Sequence, residues 1–219
     1  MSLLIFDRFG GRHYRYKTIP GTLVQILDPW ERRTLSLSSP WLRDLWLCCK
    51  ADTAVEAIAE RPKPLEFLAK GRRLQGVADF AVKQSGSITY HALVRDDSAE
   101  GFERQLHLGQ AACAHGVHYR AWKRDELTQR RVLIENMGHI RQCLAVWLDW
   151  NLISVEQRIM ATLAAGALTR KQARLSISAE LGEEGIQQFD AGLFRLYYAK
   201  RVLLDLNRRY DDEILIARL

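Results

Sequence analysis

Apolar residues along the first 150 positions follow two different periods, and these periods predict a mixed order of helices and strands. Residues 38–52 open with Ser39 and Pro40, a favourable cap and first-turn pair, and then carry apolar side chains at helical spacing. Short runs rich in Val, Ile, Phe and Tyr, which glycines interrupt, are typical of strands instead. The elements predicted after that first helix are strands at 65–68, 77–83 and 88–95, a helix at 98–116, a strand at 117–122 and helical residues from 124 to 147.

The helix predicted at 98–116 lies between two predicted strands, and it places Phe102, Leu106 and Cys113 on one face. A strand, a helix and a second strand favour a right-handed crossover within one sheet. The sequence therefore predicts an α/β (α+β) core in which helices flank a mixed sheet.

The pattern changes near residue 150. Helices are predicted at 154–165, after Thr169 and over 182–200, and "VLLDL" and "EILIARL" on either side of the polar turn "NRRYDD" predict a hairpin. Three helices followed by a hairpin are typical of a winged helix-turn-helix. We therefore predict two domains, 1–150 and 151–219.

Charge indicates a class of partner rather than an activity. The 219-residue chain has a net charge of +6, and residues 154–219 hold ten basic and nine acidic side chains, so nearly all of the excess lies earlier. A moderately basic chain permits nucleic-acid binding. Because no apolar run approaches the length of a membrane span, we expect a cytoplasmic protein without a membrane partner.

The spacing of cysteine and histidine predicts neither a metal site nor a nucleophile. The four cysteines lie in apolar, helix-like contexts without C-x-x-C spacing, which is typical of buried residues in a reduced compartment. His115 and His118 have a ligand-like spacing, but they straddle a predicted helix end and a strand start. The sequence contains no nucleophile elbow and no Gly-rich phosphate loop. We therefore predict no cofactor.

The stretch "VADFAVKQSGSITYHALVR" (77–95) predicts two strands joined by a tight turn at Gly86, with Asp79 in the first strand. Many metal-dependent nucleases place one acid there and a second acid plus a lysine on the partner strand. The two carboxylates bind Mg²⁺, which activates water and neutralises charge that develops on the phosphate. A lysine two residues beyond the second acid lies on the same strand face. The layout indicates a nuclease hairpin, although the partner strand here has the sequence "YHALVR", which contains neither an acid nor a lysine.

The chain resembles the TnsA-type transposon endonucleases, which have the PD-(D/E)xK restriction-endonuclease fold. The resemblance covers roughly residues 38–143 and the C-terminal winged-helix layout. The segments that carry it are "SPWLRDLWLCCKADTAV", "ERPKPLEFLAKGRRLQGVADF", "YHALVR", "HLGQAACAHGVHYRAWKRDEL" and "ENMGHI". It implies a degenerate restriction-endonuclease-like domain at 1–150 and a winged-helix-like domain at 151–219.

Four positions of this chain align with active-site positions of that family, and only one of the four has the residue type that the family uses there. The resemblance places Leu42 where the family's opening helix has a glutamate and Asp79 at the central aspartate. It places Leu93 at the second acid or amide and Arg95 at the lysine. Leucine cannot bind Mg²⁺, which needs oxygen donors. We therefore interpret the domain as a pseudo-nuclease with a vestigial Asp79 and no metal site, in which Arg95 pairs with Asp79 in place of the missing cation.

An alternative interpretation keeps the nuclease active through metal ligands that have moved. Lys83 shares a strand face with Asp79, and several acids lie near in sequence. These acids are Glu66, Asp96, Asp97, Glu100 and Glu103. Under this interpretation the protein is an Mg²⁺-dependent DNA endonuclease that cuts at transposon ends.

The resemblance implies a role in DNA transposition, in the bacterial cytosol at the nucleoid. The implied partners are transposon-end DNA, a TnsB-like DDE transposase and a TnsC-like AAA+ ATPase, which the protein would scaffold. A stand-alone regulator or defence protein that has kept only the fold is a third interpretation, and neighbouring genes would decide it. The basic residues that we expect to contact DNA are Lys70, Arg72, Arg73, Arg170, Lys171, Arg174, Arg208 and Arg209.

The third helix of the C-terminal domain carries Glu183, Glu184 and Asp190 and offers few basic groups to phosphates. Its apolar and aromatic run "FRLYYA" suits a protein partner at least as well as DNA.

Overall fold

A computed structural model describes residues 23–69 and 71–219, which form two compact units. The first unit comprises Leu37–Gln129 with Leu23 and Val24, and the second comprises Gln25–Ser36 and Arg130–Leu219. The elements in chain order are β1 (Val24–Asp28), β2 (Arg33–Leu37), α1 (Pro40–Lys50), β3 (Val55–Glu60), β4 (Leu65–Ala69), β5 (Arg72–Gly76), β6 (Phe80–Gln84), β7 (Ser87–Leu93), α2 (Ala99–Ala114), β8 (His118–Trp122), α3 (Arg124–Gln129), α4 (Arg131–Val146), α5 (Ile153–Thr162), β9 (Leu168–Thr169), α6 (Arg170–Tyr198), β10 (Val202–Leu204) and β11 (Leu215–Arg218).

A four-stranded mixed sheet in the order β3-β6-β7-β8 forms the centre of the first unit. β6 runs antiparallel to β3 and to β7, whereas β7 and β8 are parallel and are joined through α2, as a crossover requires. Phe80 pairs with both Glu60 and His91, and Leu93 pairs with Trp122. The ends of β3, β7 and β8 and the start of β6 therefore lie at the same end of the sheet.

Helix α2 packs on this sheet through one of its faces. Ser98 caps the helix, as predicted, because its Oγ accepts a hydrogen bond from the Gly101 N–H at 3.1 Å. The inner face carries Leu108, Ala111 and Ala112, which join sheet residues in one buried apolar cluster. The predicted strand–helix–strand order is thus confirmed.

Helix α1 begins at the predicted cap. The Oγ of Ser39 accepts a hydrogen bond from the Leu42 N–H at 3.3 Å, and Pro40 follows in the first turn. Leu45 and Trp46 have no exposed surface, and the helix contacts β7 and α3. The prediction of a largely buried helix at this position is confirmed.

Five strands, rather than the three predicted, occupy residues 55–93. The missed strand β3 reads VEAIAE, in which alanines replace the large apolar residues that usually mark a strand. The missed strand β5 reads RRLQG and is exposed up to Gly76, so it lacks apolar alternation. It pairs with β4 in a separate hairpin that turns at Gly71, whose φ of 73° favours glycine.

The second unit contains α4, α5, α6 and a three-stranded sheet in the order β10-β11-β9. Gly182 (φ 64°, ψ −158°) divides α6 into two helical segments, residues 170–181 and 183–198. Helix α6 packs on α4 and α5, and Ile159, Phe189 and Phe194 are fully buried there. The predicted C-terminal hairpin is present, since β10 and β11 pair antiparallel.

The division between the units falls at Gln129 and Arg130, earlier than the boundary that the sequence pattern indicates after residue 150. Helix α4 belongs with the C-terminal residues because its buried Met137 and Ile140 lie in that unit, and its Asn136 bonds a loop of that unit. No helix in the described parts of the chain is both long and apolar enough to cross a membrane.

Candidate functional site

The carboxylate of Asp79 lies at the end of the sheet where β6 begins, and both of its oxygens have a protein partner. The backbone N–H of Leu93 donates to Oδ2 at 2.7 Å, and Nη2 of Arg95 donates to Oδ1 at 2.5 Å. The main chain is also held, because the Asp79 N–H donates to the carbonyl of His91 and the Arg61 N–H donates to the Asp79 carbonyl, both at 2.9 Å. The ion pair predicted between Asp79 and Arg95 is therefore present.

Burial raises the pKa of Asp79, while the Arg95 charge and the Leu93 amide oppose that rise. The side chain of Asp79 is mostly buried and that of Arg95 is mostly exposed. Arg95 thus supplies the positive charge beside the carboxylate, at the place where the resemblance leads one to look for a metal ion.

The two leucines at the other family positions are buried. Leu42 lies on α1 and Leu93 at the end of β7, and each has almost no exposed surface. Leu93 reaches the carboxylate through its backbone N–H, which is a donor and cannot bind a cation. The residues around Asp79 therefore do not fit a Mg²⁺ ion.

The acids that could have replaced the missing ligands make separate local contacts. Glu66 accepts a hydrogen bond from Gln75 at 3.1 Å, and the Asp96 carboxylate accepts from the N–H and hydroxyl of Ser98. Glu103 lies 3.7 Å from His107. Asp97 and Glu100 are exposed, and Lys83 pairs with Glu56 at 2.7 Å rather than with Asp79. Within residues 23–69 and 71–219 no three His, Cys, Asp or Glu side chains gather as a metal site would need.

A buried histidine, His91, lies on β7, the strand that leads to Arg95, and the sequence pattern did not predict its role. The indole N–H of Trp122 donates to Nδ1 of His91 at 2.9 Å, and Sγ of Cys49 lies 3.7 Å from the same nitrogen. Burial, and then the charge of Arg120, lower the pKa of His91 to about 4, so the ring is neutral at pH 7. Burial raises the pKa of the Cys49 thiol. The thiol stays protonated, and the pair is a structural contact rather than an activated nucleophile.

The basic residues predicted to contact DNA divide into exposed and internal groups. Arg72 and Arg73 are exposed on β5, and Lys171, Arg208 and Arg209 are exposed in the second unit. Lys70 lies outside the described residues. Arg174 is half-buried, 3.8 Å from Asp212.

Arg170 differs from its predicted role, because its guanidinium is bound inside the second unit. Nε and Nη2 donate to the two oxygens of Asp190 at 2.9 and 2.7 Å, and Nη1 donates to Asp212 at 2.5 Å. The hydroxyl of Tyr210 donates to Asp190 at 2.7 Å. The Arg170 and Tyr210 hydrogen bonds outweigh the effect of burial and hold the pKa of Asp190 below its ordinary value. A bidentate, mostly buried arginine of this kind is a structural group.

Asn136 of α4 anchors the loop between β10 and β11 through three hydrogen bonds. Its Nδ2 donates to the carbonyls of Leu206 and Arg208 at 2.8 and 2.7 Å, and its Oδ1 accepts from the Tyr210 N–H at 3.1 Å. The exposed Arg208 and Arg209 therefore lie on an ordered loop. In the sequence this asparagine appears only as part of "ENMGHI".

The run "FRLYYA" packs largely against other residues of the second unit. Phe194 and Leu196 are buried in the second unit, and Arg195 donates to the carbonyls of Trp147 and Trp150 at 2.8 and 3.1 Å. Helical spacing does not distinguish a face that packs internally from one that meets a partner. Phe194 and Leu196 are therefore core residues rather than part of a partner surface, whereas Tyr197 and Tyr198 are partly exposed.

A cavity of about 570 Å³ in the second unit is lined by aromatic and charged side chains. Its two arginines already have partners in this unit. Arg195 binds the carbonyls just described, and Nη1 of Arg32 lies 3.0 Å from Asp149. The cavity therefore offers no free cation to a ligand.

Comparison of the whole chain with protein-family models finds no matching family, and comparison with curated proteins finds no matching relative.

Proposed function

We propose that this protein is an accessory factor of DNA transposition, a catalytically degenerate TnsA-like subunit that binds transposon-end DNA and scaffolds the proteins that cut and join it. The observation that carries the proposal is the occupied carboxylate of Asp79. Its oxygens accept from Arg95 and from the Leu93 N–H, so a metal ion would have to displace a bound guanidinium. Leu42 and Leu93 supply no oxygen ligand that could offset that loss.

The arrangement of the first unit supports a restriction-endonuclease-like core. Three antiparallel strands and a fourth strand, which runs parallel to β7 and follows a crossover helix, form one mixed sheet, and Asp79 lies at the end of the sheet where β6 begins. This fold alone does not determine the function, because one fold can carry unrelated functions.

The arrangement of the second unit supports a winged helix. Helix α5 and the two segments of α6 precede the β10–β11 pair, and β9 adds a third strand beside β11. Its DNA contacts are proposed to come from the loop residues Arg208 and Arg209 and from Lys171. The exposed start of the second α6 segment carries Glu183 and Glu184, which repel phosphates.

The partners implied by the resemblance are a TnsB-like DDE transposase and a TnsC-like AAA+ ATPase. A subunit that organises these proteins without cutting the first strand leaves one strand uncut at each transposon end. The expected product is then a cointegrate.

A transposition assay tests this proposal. The chain would be combined with the transposase and ATPase encoded beside it and a marked transposon, and the products would be sequenced. We expect cointegrates in the presence of the wild-type chain, the same products with Asp79→Ala, and none when the chain is omitted. Excision that is lost in Asp79→Ala would contradict the proposal and favour the active endonuclease. A neighbourhood without transposase and ATPase genes would favour the stand-alone regulator.

A further inference from the structure

The outer face of α2 presents large apolar side chains to solvent, although the helix already buries a different face. Phe102 is 72% exposed and Leu106 is 53% exposed, one turn apart on the same side of the helix. The inner face, with Leu108 and Ala112, is buried in the core of the first unit. The outer residues therefore add nothing to the core, and neighbouring exposed apolar residues of this kind mark interaction sites.

These side chains border a groove of about 420 Å³ between α2 and β8. The groove is lined almost wholly by apolar surface. Its lining includes Phe102, Gln105 and Leu106 of α2 and Tyr119 and Ala121 of β8. The hydroxyl of Tyr119 donates to Gln105, which fixes the tyrosine ring against the helix. The groove is therefore an ordered feature whose walls come from two elements of one unit.

The groove runs beside an open sheet edge. β8 is the last strand in the order β3-β6-β7-β8, and no strand among residues 23–69 and 71–219 pairs with its outer side. An edge strand presents a row of N–H and C=O groups that can accept another strand. A segment that paired there would lie along the groove, with every second side chain directed toward Phe102 and Leu106.

Charge on β8 indicates which kind of strand fits. His118 and Arg120 are exposed, and they alternate with Tyr119 and Ala121, which line the groove. The Arg120 guanidinium lies 3.7 Å from the centre of the Trp122 ring, and its Nη2 lies 3.5 Å from a carboxylate oxygen of Glu126, yet 45% of the Arg120 side chain remains exposed. A strand added beside β8 would thus place one set of side chains in the apolar groove and the other set next to the exposed imidazole of His118 and the guanidinium of Arg120.

A second copy of this chain is a poor occupant of the edge. Arg120 lies at the centre of β8, so two copies paired antiparallel about that position would bring two guanidinium groups opposite each other. Like charges directly opposite each other destabilise a strand pair. Acidic side chains at the same positions would be favoured instead.

We propose that the groove between α2 and β8 binds an extended segment of a partner protein, in which apolar and acidic side chains alternate and which adds to the sheet as a fifth strand. The apolar side chains of the segment contact Phe102, Leu106 and Tyr119, and its acidic side chains face His118 and Arg120. This interaction surface goes beyond the proposed role in transposition and does not require it.

Selection of random peptides displayed on phage tests the proposal without a known partner. We expect selected peptides to alternate apolar and acidic residues. A synthetic peptide of the selected sequence should lose binding when alternate backbone amides are N-methylated, because strand addition needs those N–H groups. Phe102→Ser and Leu106→Ser should each weaken its binding by at least about tenfold, and Arg120→Gln several-fold.

Leu68→Ser is the matched control, because Leu68 is an equally exposed apolar residue that does not line the groove. It should leave the affinity unchanged. Because Phe102 and Leu106 are exposed, their serine variants should unfold at the wild-type temperature, which thermal melts verify.

Several results would overturn the proposal. The selection could yield no peptide, or it could yield peptides whose apolar residues recur at helical spacing. The affinity for the selected peptide could also remain unchanged in Phe102→Ser. Sedimentation that shows a dimer abolished by Phe102→Ser would also contradict it, since a second copy would then fill the groove. Failure of any of these tests leaves the transposition assay unaffected, so the two proposals fail separately.

Discussion

Nη2 of Arg95 lies 2.5 Å from Oδ1 of Asp79, in a pair whose carboxylate is 14% exposed and whose guanidinium is 59% exposed. The aspartate is therefore held in place from the protein side by Leu93 and screened from the solvent side by Arg95. An exposed ion pair contributes little to stability, but this carboxylate is mostly buried and depends on its cation.

Arg95→Met should raise the pKa of Asp79 further, because the largest group opposing the effect of burial is then absent. A carboxyl whose folded pKa lies above its unfolded value costs stability once it ionises. The free energy of unfolding of the variant should therefore fall more steeply than that of the wild type as pH rises from the unfolded pKa through the folded pKa. Carbon NMR of the Asp79 carboxyl measures the pKa directly. A pKa unchanged from the wild type would show that Arg95 does not act on this carboxylate.

His91→Gln should flatten the pH dependence of stability in mildly acidic solution. The pKa of His91 is lowered to about 4 in the folded protein, mainly by burial, so between that value and the ordinary 6.5 only the unfolded chain binds the proton. Wild-type stability should thus be lost as pH falls below about 6.5, by up to about 3 kcal/mol. Glutamine is polar and of similar size but cannot titrate. Denaturant melts at several pH values check this, and equal slopes in both proteins would contradict the buried neutral imidazole.

Arg170→Met should destabilise the second unit by about 2–3 kcal/mol, because it leaves the largely buried Asp190 without its bidentate partner. The neighbouring Lys171→Met removes an exposed charge and should change stability by no more than about 0.5 kcal/mol. If Arg170 is internal, its variant loses stability, whereas Lys171→Met leaves stability unchanged and weakens the DNA binding that we propose. The reverse result in melts and binding assays would restore Arg170 as a DNA contact.

Asn136→Ala should loosen the loop between β10 and β11. It removes the donors to Leu206 and Arg208 and the acceptor for Tyr210, at a cost of about 1–3 kcal/mol for the unsatisfied groups. Amide hydrogen exchange should show faster exchange of the Tyr210 N–H. Protection of that amide equal to the wild type would contradict the anchoring role.

Local sequence patterns predicted the parts of this protein that depend on short-range order. Ser39 and Ser98 cap helices because capping needs only the following three residues. Asp79 directly precedes β6 and Arg95 lies two residues after β7, so both flank one hairpin and their approach could be inferred from the turn between its strands.

Contacts between residues far apart in sequence depend on how strands pair, and local sequence patterns do not predict that pairing. The His91–Trp122 hydrogen bond arises from the parallel pairing of β7 and β8 across the α2 crossover. Helix α2 has apolar residues on two sides, and helical period alone does not determine which side enters the core. The same ambiguity affected "FRLYYA", whose Phe194 and Leu196 are internal.

The central claim is that Arg95 has replaced the metal ion at Asp79. Calorimetric titration of the protein with Mn²⁺ tests it most directly, with Asp79→Asn as the isosteric control. The account predicts no saturable binding to the wild-type protein and the same flat titration for the variant. Tight binding of one or two ions to the wild-type protein that is lost in Asp79→Asn would contradict it.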